Sequence, residues 1–143
     1  MKTLMTRFGE VSYDPQNVLV FERGLIGFET LRQFIVMPNQ KEGPLFWIQS
    51  VDDPQIAFVL TDPTDFFLDY AVVPEPAERE KLGLVGDEPC FVLSVVTVRQ
   101  DKTVTLNLQA PVLYNPKTNK AMQVILENTS YQTQHELPKI EKK

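Results

Sequence analysis

Phe91-Val92-Leu93-Ser94-Val95-Val96-Thr97-Val98 is the stretch on which the fold reading turns. Five of its eight residues are β-branched and one is aromatic. Such side chains lose rotamer freedom on a helix and pack well on a pleated surface. The run is nearly continuous in apolar character, so it reads as a strand, and as the most buried one in the chain. Just beyond it, Val104, Leu106 and Leu108 alternate with Thr103, Thr105 and Asn107, the period-two signature of a half-buried strand. Upstream, Asn17–Phe21, Gln33–Met37, Leu45–Ile48 and Ile56–Leu60 are further short strands, and Met122–Leu126 closes the series. The expected core is Phe46, Ile48, Phe58, Leu60, Val92, Leu93, Val95, Leu106 and Val124, with Trp47 also inside.

Eleven prolines and six glycines lie mostly between these runs, where they punctuate rather than interrupt. Asn115-Pro116-Lys117-Thr118-Asn119 reads as a turn joining two antiparallel strands. One segment has helix chemistry: Pro76–Leu82, with Pro76 at the first helical position and Gly83 after the last. Asp62-Pro63-Thr64-Asp65 can form a single turn capped by Asp62. Many short strands and few helices point to a barrel or a sandwich.

At 143 residues the chain suits one domain, and 43% hydrophobic with 23% charged residues is ordinary globular composition. The net charge of −5 argues against bulk binding to nucleic acid or to an anionic membrane. A lone cysteine, Cys90, excludes an intramolecular disulfide framework and a cysteine metal cage. No apolar run reaches the ~20 residues of a membrane span. The residues Met1–Arg7 lack the apolar stretch of a signal peptide, so a reduced, cytoplasmic setting is expected. The polar residues after Asn128 read as a frayed tail.

Catalytic chemistry finds little to stand on. The one histidine, His135, lies near the chain end and reads as a solvated tail residue. Cys90 has no basic neighbour in sequence to activate it and reads as an inert, buried thiol. Gly24-Leu25-Ile26-Gly27 lacks both the lysine of a P-loop and the third glycine of a dinucleotide fingerprint, so it reads as a tight turn.

The carboxylates are more informative. Asp52, Asp53, Asp62, Asp65, Asp69, Glu75, Glu78, Glu80, Asp87 and Glu88 fall in one segment, opposed only by Arg79 and Lys81. That segment carries −8 and the rest of the chain +3. It has no calcium-loop pattern, and nothing in it singles out a glycosidase pair. Two readings stay open: a solvated acidic face, or an acidic surface for a basic protein partner. Within it Asp62, Asp65 and Asp69 surround Phe66, Phe67 and Tyr70, which are either interface anchors or a plug for the open end of a barrel.

Four further stretches carry a resemblance. They are Thr6–Glu10 followed by Phe21–Glu29; Phe46–Pro54 continuing through Ala57-Phe58 to Thr61-Asp62-Pro63; Asn107–Val112 leading to Asn115; and Gln123–Glu127 with Tyr131 and His135 beyond. In this order and spacing, over about Thr6 to Leu137, the chain resembles the flagellar assembly factor FliW family. Pro74–Pro89 carries little of it. The resemblance implies a mostly-β fold, a small closed or partly open antiparallel β-barrel with one or two short helices. The barrel is expected over residues 1–130 and a polar tail over 131–143. It also implies a non-enzymatic regulator of flagellar assembly and translation, without cofactor or metal. Its expected partners are flagellin and CsrA, a basic dimeric RNA-binding repressor, and it would act by partner switching, as a monomer in the cytoplasm, with no direct nucleic-acid or membrane contact. The partner site is expected at Asp62, Asp65, Phe66, Phe67, Asp69 and Tyr70. The rival reading is a small-molecule-binding β-barrel or hydrolase with a carboxylate-lined pocket near Trp47 and Tyr70.

Overall fold

The computed structural model describes residues 1–6, 8–37, 45–127 and 129–136. The strands, in chain order, are β1 (Lys2–Thr6), β2 (Gly9–Tyr13), β3 (Leu19–Phe21), β4 (Gln33–Met37), β5 (Leu45–Ser50), β6 (Ala57–Thr61), β7 (Phe91–Val98), β8 (Val104–Leu106), β9 (Val112–Asn115), β10 (Lys120–Gln123) and β11 (His135–Glu136). One α-helix, α1, spans Pro76–Leu82. β1 and β2 make a separate hairpin. The others join in one sheet, in which β7, β6, β5, β4, β3, β10, β9 and then β7 again pair in a closed ring of seven strands.

Most neighbours in the ring are antiparallel, as expected; β3 and β10 run parallel, with Lys120 opposite Val20 and Ala121 opposite Phe21. Closure depends on β7. Its edge away from β6 is shared: Phe91–Leu93 pair with β9, and Val96–Val98 pair with β8. Between the two halves sits Asn107. Its N–H donates to the Val95 carbonyl at 2.9 Å, and its carbonyl accepts from Ser94 Oγ at 2.8 Å. Its side-chain Oδ1 accepts from the Ala110 N–H at 2.9 Å, turning the chain from β8 toward β9. These bonds occupy the backbone of Asn107 and the Val95 carbonyl where one partner strand leaves and the next enters.

Side chains alternate across the wall of the ring. Phe21, Phe34, Ile48, Leu60 and Val112 are buried in the main core inside it, with Phe46, Phe58, Leu93 and Val95 packed against them. A second cluster lies outside, where Tyr70, Val96, Leu106 and Leu108 pack with Phe66, Phe67, Leu126 and Tyr131. A third, of Leu82, Leu84 and Leu113, seats α1, with Val92 and Val124 alongside.

Several elements match the reading of the sequence. β4 and β7 have the expected bounds. α1 runs from Pro76 to Leu82 and ends at Gly83 with φ of 74°. Asp62 caps a single 3₁₀ turn at Pro63–Asp65. The Asn115–Asn119 turn joins β9 to β10, with Asn119 at φ 57°. Gly24 turns the chain at φ 66°, where an added Cβ would lie 2.5 Å from the Phe28 carbonyl oxygen.

Other expectations need correction. β7 is not the most buried strand: Ser94 and Val96 are buried, but Phe91 is 48% and Val98 60% exposed. Leu93 and Val95 face inward yet line openings at the two ends of the ring. Of the expected core, Ile48, Leu60 and Leu106 are fully buried, while Phe46, Phe58, Val92, Leu93, Val95 and Val124 are half-buried. Trp47 lies half-buried, edge-on to Phe8 of the hairpin, with ring centroids 5.1 Å apart. The last strand of the ring lies earlier than expected, although Val124 and Leu126 still donate to the carbonyls of Pro111 and Gln109. Residues up to Glu136 are docked as well: β11 pairs with β8, and Leu108 donates to the Gln132 carbonyl.

Two stability predictions follow from this placement. Leu60→Ala removes a side chain that is 0% exposed and is expected to lower the unfolding free energy by about 2–5 kcal/mol in urea denaturation. Val98→Ala should change it by less than about 0.5 kcal/mol; equal costs would mean the two faces are assigned the wrong way round. Asn107→Ala strands the Ala110 N–H and should cost about 1–3 kcal/mol.

Candidate protein-interaction surfaces

The loop after β6 begins with a well-determined turn. Asp62 Oδ1 accepts from the Thr64 N–H at 2.9 Å and from Thr64 Oγ1 at 2.6 Å. This fixes Asp65 and the residues after it against the outside of the barrel. Phe66 and Phe67 are half-buried in the outer cluster. Tyr70 is only 4% exposed, and its hydroxyl donates to the Leu108 carbonyl at 2.7 Å. Its ring meets Tyr131 edge-on at 4.8 Å. Tyr70 is therefore a core residue and not a surface anchor.

The acids behave differently. Asp62, Asp65 and Asp69 are all exposed. Between them stands a residue the sequence reading passed over, Leu68, which is 88% exposed, and Val73 further on is equally so. The loop thus buries Tyr70, half-buries Phe66 and Phe67, and presents two aliphatic side chains among carboxylates. No periodicity in Phe66–Tyr70 could have told which apolar residues face outward; the packing of Tyr70 on Leu108 decides it.

His135 is not solvated. It is half-buried, with its ring edge-on to Phe67 at 5.2 Å and Tyr131 nearby at 6.1 Å. Arg99 holds the adjacent residue, with Nη1 2.8 Å from the Glu136 carboxylate. Burial pushes the Cys90 thiol above its ordinary pKa, which favours the unreactive protonated form. Glu88, by contrast, is held below the usual carboxylate range, chiefly by its hydrogen bond with Lys117. Among the described residues, no group of three or more His, Cys, Asp or Glu side chains is placed to hold a metal ion.

One end of the ring opens into a cavity of about 630 Å³. Leu19, Phe46, Leu60, Leu93, Phe91 and Tyr114 line it, and Asp62 and Thr64 stand on its wall. That volume suits a small ligand. The polar groups do not converge: the Asp62 carboxylate is already engaged by Thr64, and among the described residues no second carboxylate lines the cavity.

Burial raises the Tyr70 phenol above its ordinary pKa of 10.0, and the neighbouring Tyr131 adds to the effect. The folded chain therefore keeps a proton that the unfolded chain releases. The associated stability is intact below pH ~10 and is lost as pH rises further. Tyr70→Phe should lower stability at neutral pH by about 1–3 kcal/mol and flatten its decline above pH ~10, as measured by denaturant titration at several alkaline pH values. An unchanged alkaline profile would place the phenol in solvent.

Comparison with known proteins agrees with this architecture. A model of the FliW protein family matches residues 2–137. The flagellar assembly factor FliW of Syntrophotalea carbinolica is 65% identical over 137 residues, spanning 96% of this chain and 98% of that protein. The flagellar assembly factor FliW 2 of Desulfotalea psychrophila is 55% identical, spanning 99% of this chain and 94% of that one. A crystal structure of the flagellar assembly factor FliW superposes with a TM-score of 0.86 at 30% identity, covering 96% of this chain and 98% of that one. Family match, whole-chain identity and shared barrel together place this chain in the FliW family of flagellar assembly factors.

Proposed function

We propose that the protein is a cytoplasmic, non-enzymatic regulator that binds flagellin and sequesters CsrA, switching between the two partners as flagellin is exported. The observation that carries the CsrA half is the exposed face formed by Asp65, Leu68 and Asp69. A basic RNA-binding protein is attracted by carboxylates, which raise its encounter rate, and is retained by apolar side chains that lose water on contact. Leu68 provides the second element, since it is far more exposed than the half-buried Phe66 and Phe67 or the buried Tyr70. The same acidity repels RNA, so capture of the repressor does not become binding of its transcript.

A small apolar ligand in the cavity at the barrel end is the rival reading, supported by its volume and its apolar lining. It predicts that binding of a partner is indifferent to Asp65 and Asp69. The partner-switching reading predicts the opposite. Asp65→Asn with Asp69→Asn keeps side-chain shape and removes two charges. Stopped-flow mixing with purified CsrA at two ionic strengths should show association slowed several-fold at low salt, with a shallower salt dependence and unchanged flagellin binding. Leu68→Ala should leave association nearly as it was and speed dissociation, by an amount equivalent to about 1–3 kcal/mol. Wild-type association rates at low salt in the doubly substituted protein would reduce these acids to a solvated face.

A further inference from the structure

Although the protein is acidic, its positive charge is gathered rather than scattered. Of the nine lysines and arginines among the described residues, Arg23, Arg32, Lys81 and Lys120 line a single cleft of about 450 Å³. Only one acid, Glu22, lines it with them. The ion pairs among the described residues are Arg99 with Glu136 and Lys117 with Glu88, so none of these four cations is in one. A fifth cation, Arg79, donates instead to the carbonyls of Gly86 and Glu88.

The four come from distant parts of the chain and are held by backbone geometry. The parallel pairing of β3 with β10 sets Lys120 beside Val20. The Arg32 carbonyl accepts from the Phe21 N–H at 2.7 Å, which ties Arg32 to the same strand. Gly24, with no room for a Cβ, fixes the turn that follows Arg23. Lys81 ends α1, whose last residue, Leu82, is anchored through its carbonyl by Asn115 Nδ2 and Thr118 Oγ1, each at 2.9 Å. Apolar surface beside the cations comes from Val20, 42% exposed, and the half-buried Met122, over a buried floor of Phe21, Leu82 and Ala121.

We propose that this cleft binds an acidic, amphipathic segment of a protein partner, with carboxylates meeting Arg23, Arg32, Lys81 and Lys120 and an aliphatic side chain resting on Val20 and Met122. Charge complementarity selects the acidic ligand. The apolar wall distinguishes a peptide from a bare anion, which would leave that surface wet. A nucleic acid fits less well: the cleft offers no exposed aromatic ring for base stacking, and the protein around it carries a net charge of −5. The site is separate from the acidic face and does not depend on which partner that face takes.

The test uses the full chain and three fluorescein-labelled probes, read by anisotropy at low and at moderate salt. They are a short helical peptide with leucines on one face and glutamates on the other, its counterpart with lysines for glutamates, and a single-stranded oligothymidine of similar length. The acidic peptide should bind best, and more weakly as salt rises. Arg23→Gln with Lys120→Gln should weaken it by about tenfold, while Asp65→Asn with Asp69→Asn should not. Both residues are exposed, and an unchanged melting temperature would show that the substituted protein is folded. The proposal is overturned if the acidic peptide binds no better than the lysine peptide, or if the Arg23/Lys120 variant matches wild type. It is equally overturned if oligothymidine binds as tightly as the acidic peptide, which would make the cleft a general polyanion site.

Discussion

The shared edge of β7 is the constraint on which the rest of the molecule rests. A strand has only two edges, and one edge of β7 is occupied by β6 along Ser94–Val96. The other must both close the ring and carry an outward extension. It does so by dividing between β9 and β8, with Asn107 bonded to Ser94 and Val95 at the junction. Ser94 is fully buried there, so its hydroxyl would be costly without the Asn107 carbonyl to accept it.

From that division come the two places where charge and apolar surface meet. Because β8 leaves the ring, its outer side needs a cover. Phe66, Phe67 and Tyr70 provide it from one direction, and Tyr131 and β11 from the other. The loop carrying those aromatics is thereby pinned, and its remaining residues, Asp65, Leu68 and Asp69, are forced outward. Because β9 closes the ring and turns straight into β10, the parallel pair with β3 forms, and with it the row of cations around Lys120. An acidic protein thus presents surfaces of both signs on one rigid frame.

Much of this was legible from residue chemistry. β-branched density marked β7, and proline with glycine marked both ends of α1. The role of Asp62 as a cap follows from its place before Pro63. What was illegible depended on contacts distant in sequence. The β1–β2 hairpin is short, and Glu10-Val11-Ser12-Tyr13 alternates over only four residues; its partner is the barrel wall at Trp47. Gln49 shows the same limit: a polar residue in a strand, it is fully buried because its amide donates to the carbonyls of Ser50, Pro54 and Ile56. The tail looked unstructured because its order comes from Tyr70, Phe67 and Arg99 rather than from its own pattern. In the candidate site the acids are exposed, as their charge suggests, whereas Tyr70 is buried and Phe66 and Phe67 are half-buried. Aromatics next to acids suggest anchors until Leu108 is seen to claim Tyr70.

In the proposed function the acidic loop, and not the barrel end or the basic cleft, receives the basic partner. Backbone amide shifts of the isotope-labelled protein, followed as unlabelled CsrA is added, test it most directly. Perturbations are expected to concentrate on Asp65–Val73. Shifts concentrated instead on Arg23, Arg32, Lys81 and Lys120, or on the cavity lined by Phe46 and Tyr114, with Asp65–Val73 unmoved, would contradict it.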